Sequence, residues 1–289
     1  MRKNFLIIAV ILFASCQKGN DTTEDDSLIF RFHRNGGFTG LKESLIIDAN
    51  LTSYSVRYNI IDKDMVIEYK TTVITNEDQW NYLKNSFDSK SFSEIEDGPC
   101  RACVDGIDET LFVTKNGKTD SIYNAITNEN YRKMQGFFDV IMTQSNIFKM
   151  HFSEGFGCSS FLVYKLNDYK DVGIAVIGDM EKLNLSETEQ SFNLSENEDL
   201  FVEINKFSDN AHGYYCDCVF EGEISETWKS VSGTAKIKIK QNIIPHYSEF
   251  ESHTINITLE NVVLQNNDGS TIIIYNMVFS DVGVGWLPG

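Results

Sequence analysis

Long apolar runs are scarce in this sequence. Of its 289 residues the longest such stretch is Phe5 to Ala14, too short to cross a bilayer as a helix, and helical membrane proteins are thereby set aside. Basic residues are also few: 25 Lys and Arg stand against 42 Asp and Glu, a formal charge of −17. A field of that sign repels phosphate backbones, which argues against a nucleic-acid partner. Familiar catalytic signatures are missing. No H-E-x-x-H, G-x-S-x-G or P-loop pattern occurs, so zinc hydrolysis, serine acylation and ATP binding lack their usual sequence basis. The five histidines (His33, His151, His212, His246 and His253) are scattered, and only three prolines are present. There is no long repeat or low-complexity tract. What the chain does have is core material, 42% hydrophobic and 12% aromatic residues, and that content excludes wholesale disorder.

The first residues are organised. A basic start, Met1-Arg2-Lys3-Asn4, leads into the apolar run, and the small residues Ala14 and Ser15 then precede Cys16. This three-part layout reads as a secretory leader to be excluded from fold reasoning. Ending in small-small-Cys, it resembles a bacterial lipoprotein signal. The resemblance implies cleavage after residue 15 and lipidation of Cys16. Residues 16–27, polar and acid-rich, are then expected to form a disordered tether. Lys18 and the acids from Asp21 onward resemble the export tag of lipoproteins displayed on the Gram-negative surface. The expected location is the outer membrane, with the membrane as a partner through the lipid anchor alone.

Strand signals dominate the remainder, so the expected class is mainly β. An α+β domain, an antiparallel sheet with two helices, is expected over 28–145, and an all-β, sandwich-like domain over 150–289. Alternating or β-branched runs mark strands at Leu28 to His33, Ser44 to Ala49, Tyr54 to Tyr58 and Met65 to Ile74. Thr75 with Asp78 reads as the cap of a first helix carrying Trp80, Leu83 and Phe87. Asn116-Gly117 between two runs is a strong hairpin signal. A second helix from Thr127 presents Tyr131, Met134, Phe138 and Ile141 on one face. Beyond it only strands are expected, including Tyr214 to Phe220, with short strands and a loop over Leu183 to Asn197.

Arg34-Asn35-Gly36-Gly37-Phe38-Thr39-Gly40, followed by an extended Leu45-Ile46-Ile47-Asp48, is similar to the R-x-G-G-F-x-G opening of emfourin-like proteins. The likeness continues through Trp80 to Phe92, Asp108 to Asn124 and Tyr131 to Ile141. These proteins are small inhibitors of thermolysin-type metallopeptidases, so the resemblance implies an α+β fold and protease inhibition. It also marks Arg34, Gly36, Gly37, Phe38 and Gly40 as a binding loop, although glycines at 36 and 37 are accounted for equally by a turn needing positive φ. The Cys100–Cys103 pair and the length of Asn50 to Ile74 depart from the family pattern. The second half resembles the all-β carboxy-terminal modules of other exported lipoproteins.

Lipidation would take Cys16 and leave five thiols, Cys100, Cys103, Cys158, Cys216 and Cys218. In an oxidising envelope disulfides are the default. Cys100 and Cys103 can close on each other, and Cys158 pairs with Cys216 or Cys218. A four-thiolate zinc site from Cys100, Cys103, Cys216 and Cys218 is the sharper alternative. Redox chemistry at the C-x-x-C is another, opposed by the acids that follow it. Asp105 and Asp108, with Glu94, Glu96 and Asp97 nearby, form an acidic loop with oxygen ligands suited to Ca²⁺, but without EF-hand spacing. The expected function is non-enzymatic: a lipid-anchored envelope module, without cofactor or resident metal, that binds a protein or glycan through loops on rigid sheets. Metallopeptidase inhibition is the alternative, and a metal-dependent enzyme or redox protein the second.

Overall fold

A computed structural model describes residues 28–36, 40–60, 65–104, 106–146, 152–211, 213–216, 222–243 and 252–285. The expectations for the leader, Cys16, the tether, Gly37, Phe38, Asp105 and Cys218 lie outside the described residues. The chain is mainly β, as its alternating patterns imply. The strands of the first half are β1 (Ile29–Gly36), β2 (Lys42–Ile47), β3 (Leu51–Ile60), β4 (Met65–Ile74), β5 (Ile107–Lys115) and β6 (Lys118–Tyr123). Period-two alternation sends Phe30, Phe32, Leu45, Ile47, Tyr54, Val56, Tyr58, Met65 and Ile67 to one buried face. Helices α1 (Glu77–Ser86), α2 (Ser89–Ser93) and α3 (Glu129–Ser145) carry the residues that join this core. Phe138 of α3 stacks on Phe32 with centroids 5.1 Å apart, and Trp80 of α1 meets Phe30 edge-on at 6.0 Å. The other face of the sheet carries Arg31, His33, Lys42, Ser44, Ser55, Arg57, Glu68 and Lys70 at the alternate positions. An antiparallel sheet with one covered and one polar face is the usual outcome of such patterning.

The second half adds β7 (Phe156–Cys158), β8 (Leu162–Leu166), β9 (Val172–Gly178), β10 (Gln190–Asn193), β11 (Leu200–Phe207), β12 (Ile224–Ile243), β13 (Ser252–Gln265) and β14 (Thr271–Val284), with a one-turn helix α4 (Met180–Leu183). All fourteen strands of the described residues belong to one antiparallel sheet, in the order β6-β5-β1-β2-β3-β4-β14-β13-β12-β11-β9-β8-β7, with β10 beside β12. The division expected near residue 145 falls between α3 and β7, yet the sheet runs through it: β14 pairs with β4, Ile272 opposite Tyr69 and Ile274 opposite Ile67. The long strands bend at bulges. Register shifts interrupt β12–β13 between Ser230 and Ser232, between Ser232 and Thr234, and between Ile239 and Gln241, and each bulge adds local twist. Gly233 has φ +118°, and a Cβ there would lie 2.5 Å from Val262 Cα, so only glycine fits. The result is a curl that brings β7 back against the end of β14, where the Gly285 N–H donates to Ser159 O at 2.7 Å. The sandwich-like walls of this half are thus two ends of one sheet.

One core runs through both halves. Trp228 on β12 is fully buried, its indole N–H donating to Ser270 Oγ at 2.8 Å and its ring meeting Tyr69 of β4 edge-on at 6.2 Å.

Several local expectations need correction. Helix α1 is capped by Asn76, whose side chain accepts from Gln79 N–H, and not by Thr75. Thr75 is buried and its hydroxyl pairs with that of Thr52, which withdraws it from capping. Helix α3 begins at Glu129 behind an Asn128 cap, and not at Thr127. A helix does occur in the second half, because Asp179 accepts from the N–H groups of Glu181 and Lys182 and nucleates α4. Of the run Tyr214 to Phe220, residues 214–216 form a turn and not a strand, since Cys216 is drawn to Cys158.

Candidate functional site

The residues singled out at the start of the first half do gather at one end of its sheet, where Asn35 lies opposite Asp108 and Gly36 opposite Ile107. Among the described ones, Arg34 and Asp108 have side chains engaged internally. Arg34 points to the helix-covered face. Its Nε donates to Glu109 Oε1 at 3.0 Å, its Nη2 pairs with Asp139 of α3, and its Nη1 lies 3.8 Å from Glu43 Oε2. Glu43 also accepts from the Tyr54 hydroxyl at 2.7 Å, and Gln135 donates to Glu109. Burial pushes the carboxyls of Glu43 and Asp139 above the usual carboxylate range, against the pull of Arg34. Gly36 ends β1. Gly40 takes the left-handed conformation, φ +58°, where a Cβ would sit 2.7 Å from Asn59 O.

Cys100 and Cys103 form a disulfide, and so do Cys158 and Cys216. That pairing overturns the four-thiolate zinc alternative, since three of its four sulfurs are oxidised. Asp108 anchors the Cys100–Cys103 loop: its Oδ1 accepts from the N–H groups of Arg101 at 2.6 Å and Ala102 at 3.0 Å, and from the Asn124 amide at 2.8 Å. Burial works against ionisation there. Hydrogen bonds from the Tyr123 hydroxyl, these N–H groups and Asn124 outweigh it and hold the Asp108 carboxyl well below the ordinary range. Asp97 likewise accepts from Tyr123 N–H. Both acids brace the loop, and among the described residues no group of three or more His, Cys, Asp and Glu is placed to hold a metal ion.

The best-built concavity lies in the second half, where the sequence had pointed to nothing. It encloses about 340 Å³ and is lined by Ser153, Phe156, Tyr164, Leu166, Asn167, Asp168 and Lys170, a size within the range of small-ligand sites. Phe156 of β7 and Tyr164 of β8 are direct cross-strand partners with ring centroids 5.9 Å apart. Tyr164 stacks at 4.6 Å on Tyr215, which in turn meets Tyr214 and Phe207 edge-on. The Cys158–Cys216 bond pins Tyr215 there, and Gly173 makes the room: a Cβ on it would stand 2.5 Å from the Tyr215 hydroxyl.

The polar rim is equally fixed. Asn167 is buried, its Oδ1 accepting from Asp171 and Val172 N–H and its Nδ2 donating to Asp171 Oδ1. This shapes the β8–β9 turn and sets Asp168 and Lys170 at the pocket's edge. Ala211 N–H donates to Lys170 O at 2.6 Å, tying the Tyr215 loop to the same turn. Phe156 remains 52% exposed, an unusual state for a phenylalanine facing another ring, and it marks a surface with an apolar partner to gain. A larger concavity of about 500 Å³ along Ser191–Asn193 and Glu196–Asp199 is acid-lined and has a single aromatic ring.

Among the described residues no helix is long and apolar enough to cross a membrane. No family model, curated protein or solved structure matches the chain.

Proposed function

We propose that this protein is a lipid-anchored module of the bacterial outer membrane that binds a glycan in the Phe156–Tyr164 pocket. The observation that carries the reading is a cross-strand pair of aromatic rings, Phe156 exposed and Tyr164 half-buried, held in place by Tyr215 and a disulfide, with a carboxylate and an ammonium at the rim. A sugar ring offers an apolar C–H face to such rings and hydroxyl edges to Asp168 and Lys170. Rings that are already ordered lose little entropy on binding. The anchor rests on the layout of Met1 to Cys16. It places the folded body beside envelope or extracellular polysaccharide and asks nothing of its acidic surface.

Titration of the full chain, held in a sugar-free zwitterionic detergent, with a panel of oligosaccharides is expected to find a saturable ligand. Phe156→Ala and Tyr164→Ala each weaken it by about tenfold, the scale of one lost aromatic contact. Binding that survives both substitutions, or no binding across the panel, removes the reading. For the anchor, radiolabelled palmitate fed to expressing cells is expected to enter the parent chain and not Cys16→Ala; equal labelling of the two, or none, refutes it.

A further inference from the structure

The uncovered face of the first half holds a second concavity, of about 310 Å³, lined by His33, Asn35, Lys42, Glu43, Ser44, Ser55, Arg57 and Glu68. Two adjacent cross-strand rows build it. One runs Asn35–Lys42–Arg57–Glu68 and the next His33–Ser44–Ser55–Lys70, over β1, β2, β3 and β4. Lys42 and Arg57 are direct cross-strand neighbours, and like charges so placed destabilise a sheet. They do so in a chain where acids outnumber bases 42 to 25, so carboxylates to separate them were abundant. Yet among the described residues neither is in a salt bridge.

Arg57 is also held ready. Its guanidinium lies 4.4 Å from the centre of the Tyr275 ring, and the Tyr275 hydroxyl is fixed in turn by donating to Glu68 Oε2. A guanidinium resting on a ring face keeps its N–H edge for a planar, two-point acceptor. Glu68 is occupied by Tyr275 and by Lys70, 3.1 Å away. Glu43 enters the lining from the opposite side of the sheet, its carboxylate bound by the Tyr54 hydroxyl. Besides His33 and the engaged Glu68 carboxylate, what faces the cleft is two cations, the Ser44 and Ser55 hydroxyls and the Asn35 amide.

From this juxtaposition we propose that the cleft binds a tetrahedral oxyanion, a phosphate or sulfate ester group, with Arg57 as the two-point donor, Lys42 as the counter-charge and Ser44, Ser55 and Asn35 completing the cradle. The site is separate from the aromatic pocket, and neither proposal depends on the other. A tetrahedral oxyanion relieves the Lys42–Arg57 repulsion and accepts from every donor present.

Inorganic phosphate and sulfate titrated into the full chain in detergent, followed by calorimetry or by amide chemical shifts, are expected to bind saturably. Lys42→Gln and Arg57→Gln each weaken binding by about tenfold and the double variant by about a hundredfold, the scale of lost charge-assisted hydrogen bonds. Lys238→Gln, on β12, leaves it unchanged. Glycerol 3-phosphate compared with soluble dihexanoyl-phosphatidylglycerol tells a free ester from a lipid head group, and Arg57-dependent binding of either supports the site. The thermal midpoint of the double variant is expected to match or exceed the parent's, because a repulsive pair has been removed; this separates lost binding from lost folding. Absence of saturable phosphate and sulfate binding, or equal affinity in the parent and the double variant, overturns the proposal.

Discussion

Arg34→Ala is expected to destabilise the protein by about 3–5 kcal/mol at neutral pH, the range for breaking a buried ion pair from one side. The reason is the company it leaves. Glu43 and Glu109 have side chains only 8% and 4% exposed, and Asp139 of α3 completes the set around one guanidinium. Removing the cation strands carboxylates that have no other positive partner in that network. The pH dependence has a definite sign. Burial already lifts the carboxyls of Glu43 and Asp139 above their usual range, so they take up protons more readily folded than unfolded, and acidification favours the folded form through them. Without Arg34 that lift grows. The deficit of the variant should therefore shrink between neutral pH and about pH 5, as the stranded groups protonate. Urea denaturation of the parent and the variant at both pH values measures it. A deficit below 1 kcal/mol, on the order of a surface change, or one that does not move with pH, would contradict the assignment.

Trp228→Ala should cost as much, about 3–5 kcal/mol, by the transfer and cavity terms for a buried aromatic. Trp228 meets Tyr69 near the β4–β14 ladder, and losing it also leaves Ser270 Oγ without its indole donor. Because one core spans both halves, the drop should appear as a single transition at lower temperature by near-ultraviolet dichroism and by calorimetry. Trp228→Phe keeps most of the ring and forfeits the hydrogen bond, so it should cost less. Two separated transitions in the parent chain, or a loss under about 1 kcal/mol in the alanine variant, would contradict this role for Trp228.

Local structure was readable where one residue type admits one geometry. Asn116-Gly117 forms the turn its two positive φ angles require, 53° and 76°, and Met65–Ile74 is a strand from end to end. The short spacing of Cys100 and Cys103 made their bond readable, whereas the choice of Cys216 over Cys218 for Cys158 stayed open until the fold was known. Strand length and neighbours were not readable. β12 spans 20 residues, but bulges break its alternation around Gly233 and hide the continuity. A period of two says which face a side chain takes and nothing about which strand lies alongside. The β4–β14 pairing, across about 200 residues of chain, was therefore out of reach.

The same limit governs the sites. Arg34 was singled out for a glycine-rich turn, while its partner Asp139 is a helix residue 105 positions away. Gln135 and Asp139, four apart on α3, were the available signal: two polar residues along the edge of an apolar stripe. Phe156 sits in a three-residue strand too short to show a pattern, and its pairing with Tyr164 exists only once the sheet has curled.

The final long strand, β14, is an interior member of the sheet, flanked by β4 on one side and β13 on the other. A ribosome makes it after β1 to β13. Until then β4, made early, has an open hydrogen-bonding edge toward the missing strand, as does β13, and bare edges invite pairing with foreign chains. Closing the ladder joins residues about 200 positions apart in sequence, a pattern that slows folding. Assembly is accordingly a late event in this chain's biogenesis: the seam between β4 and β13 can be sealed only once β14 has been made.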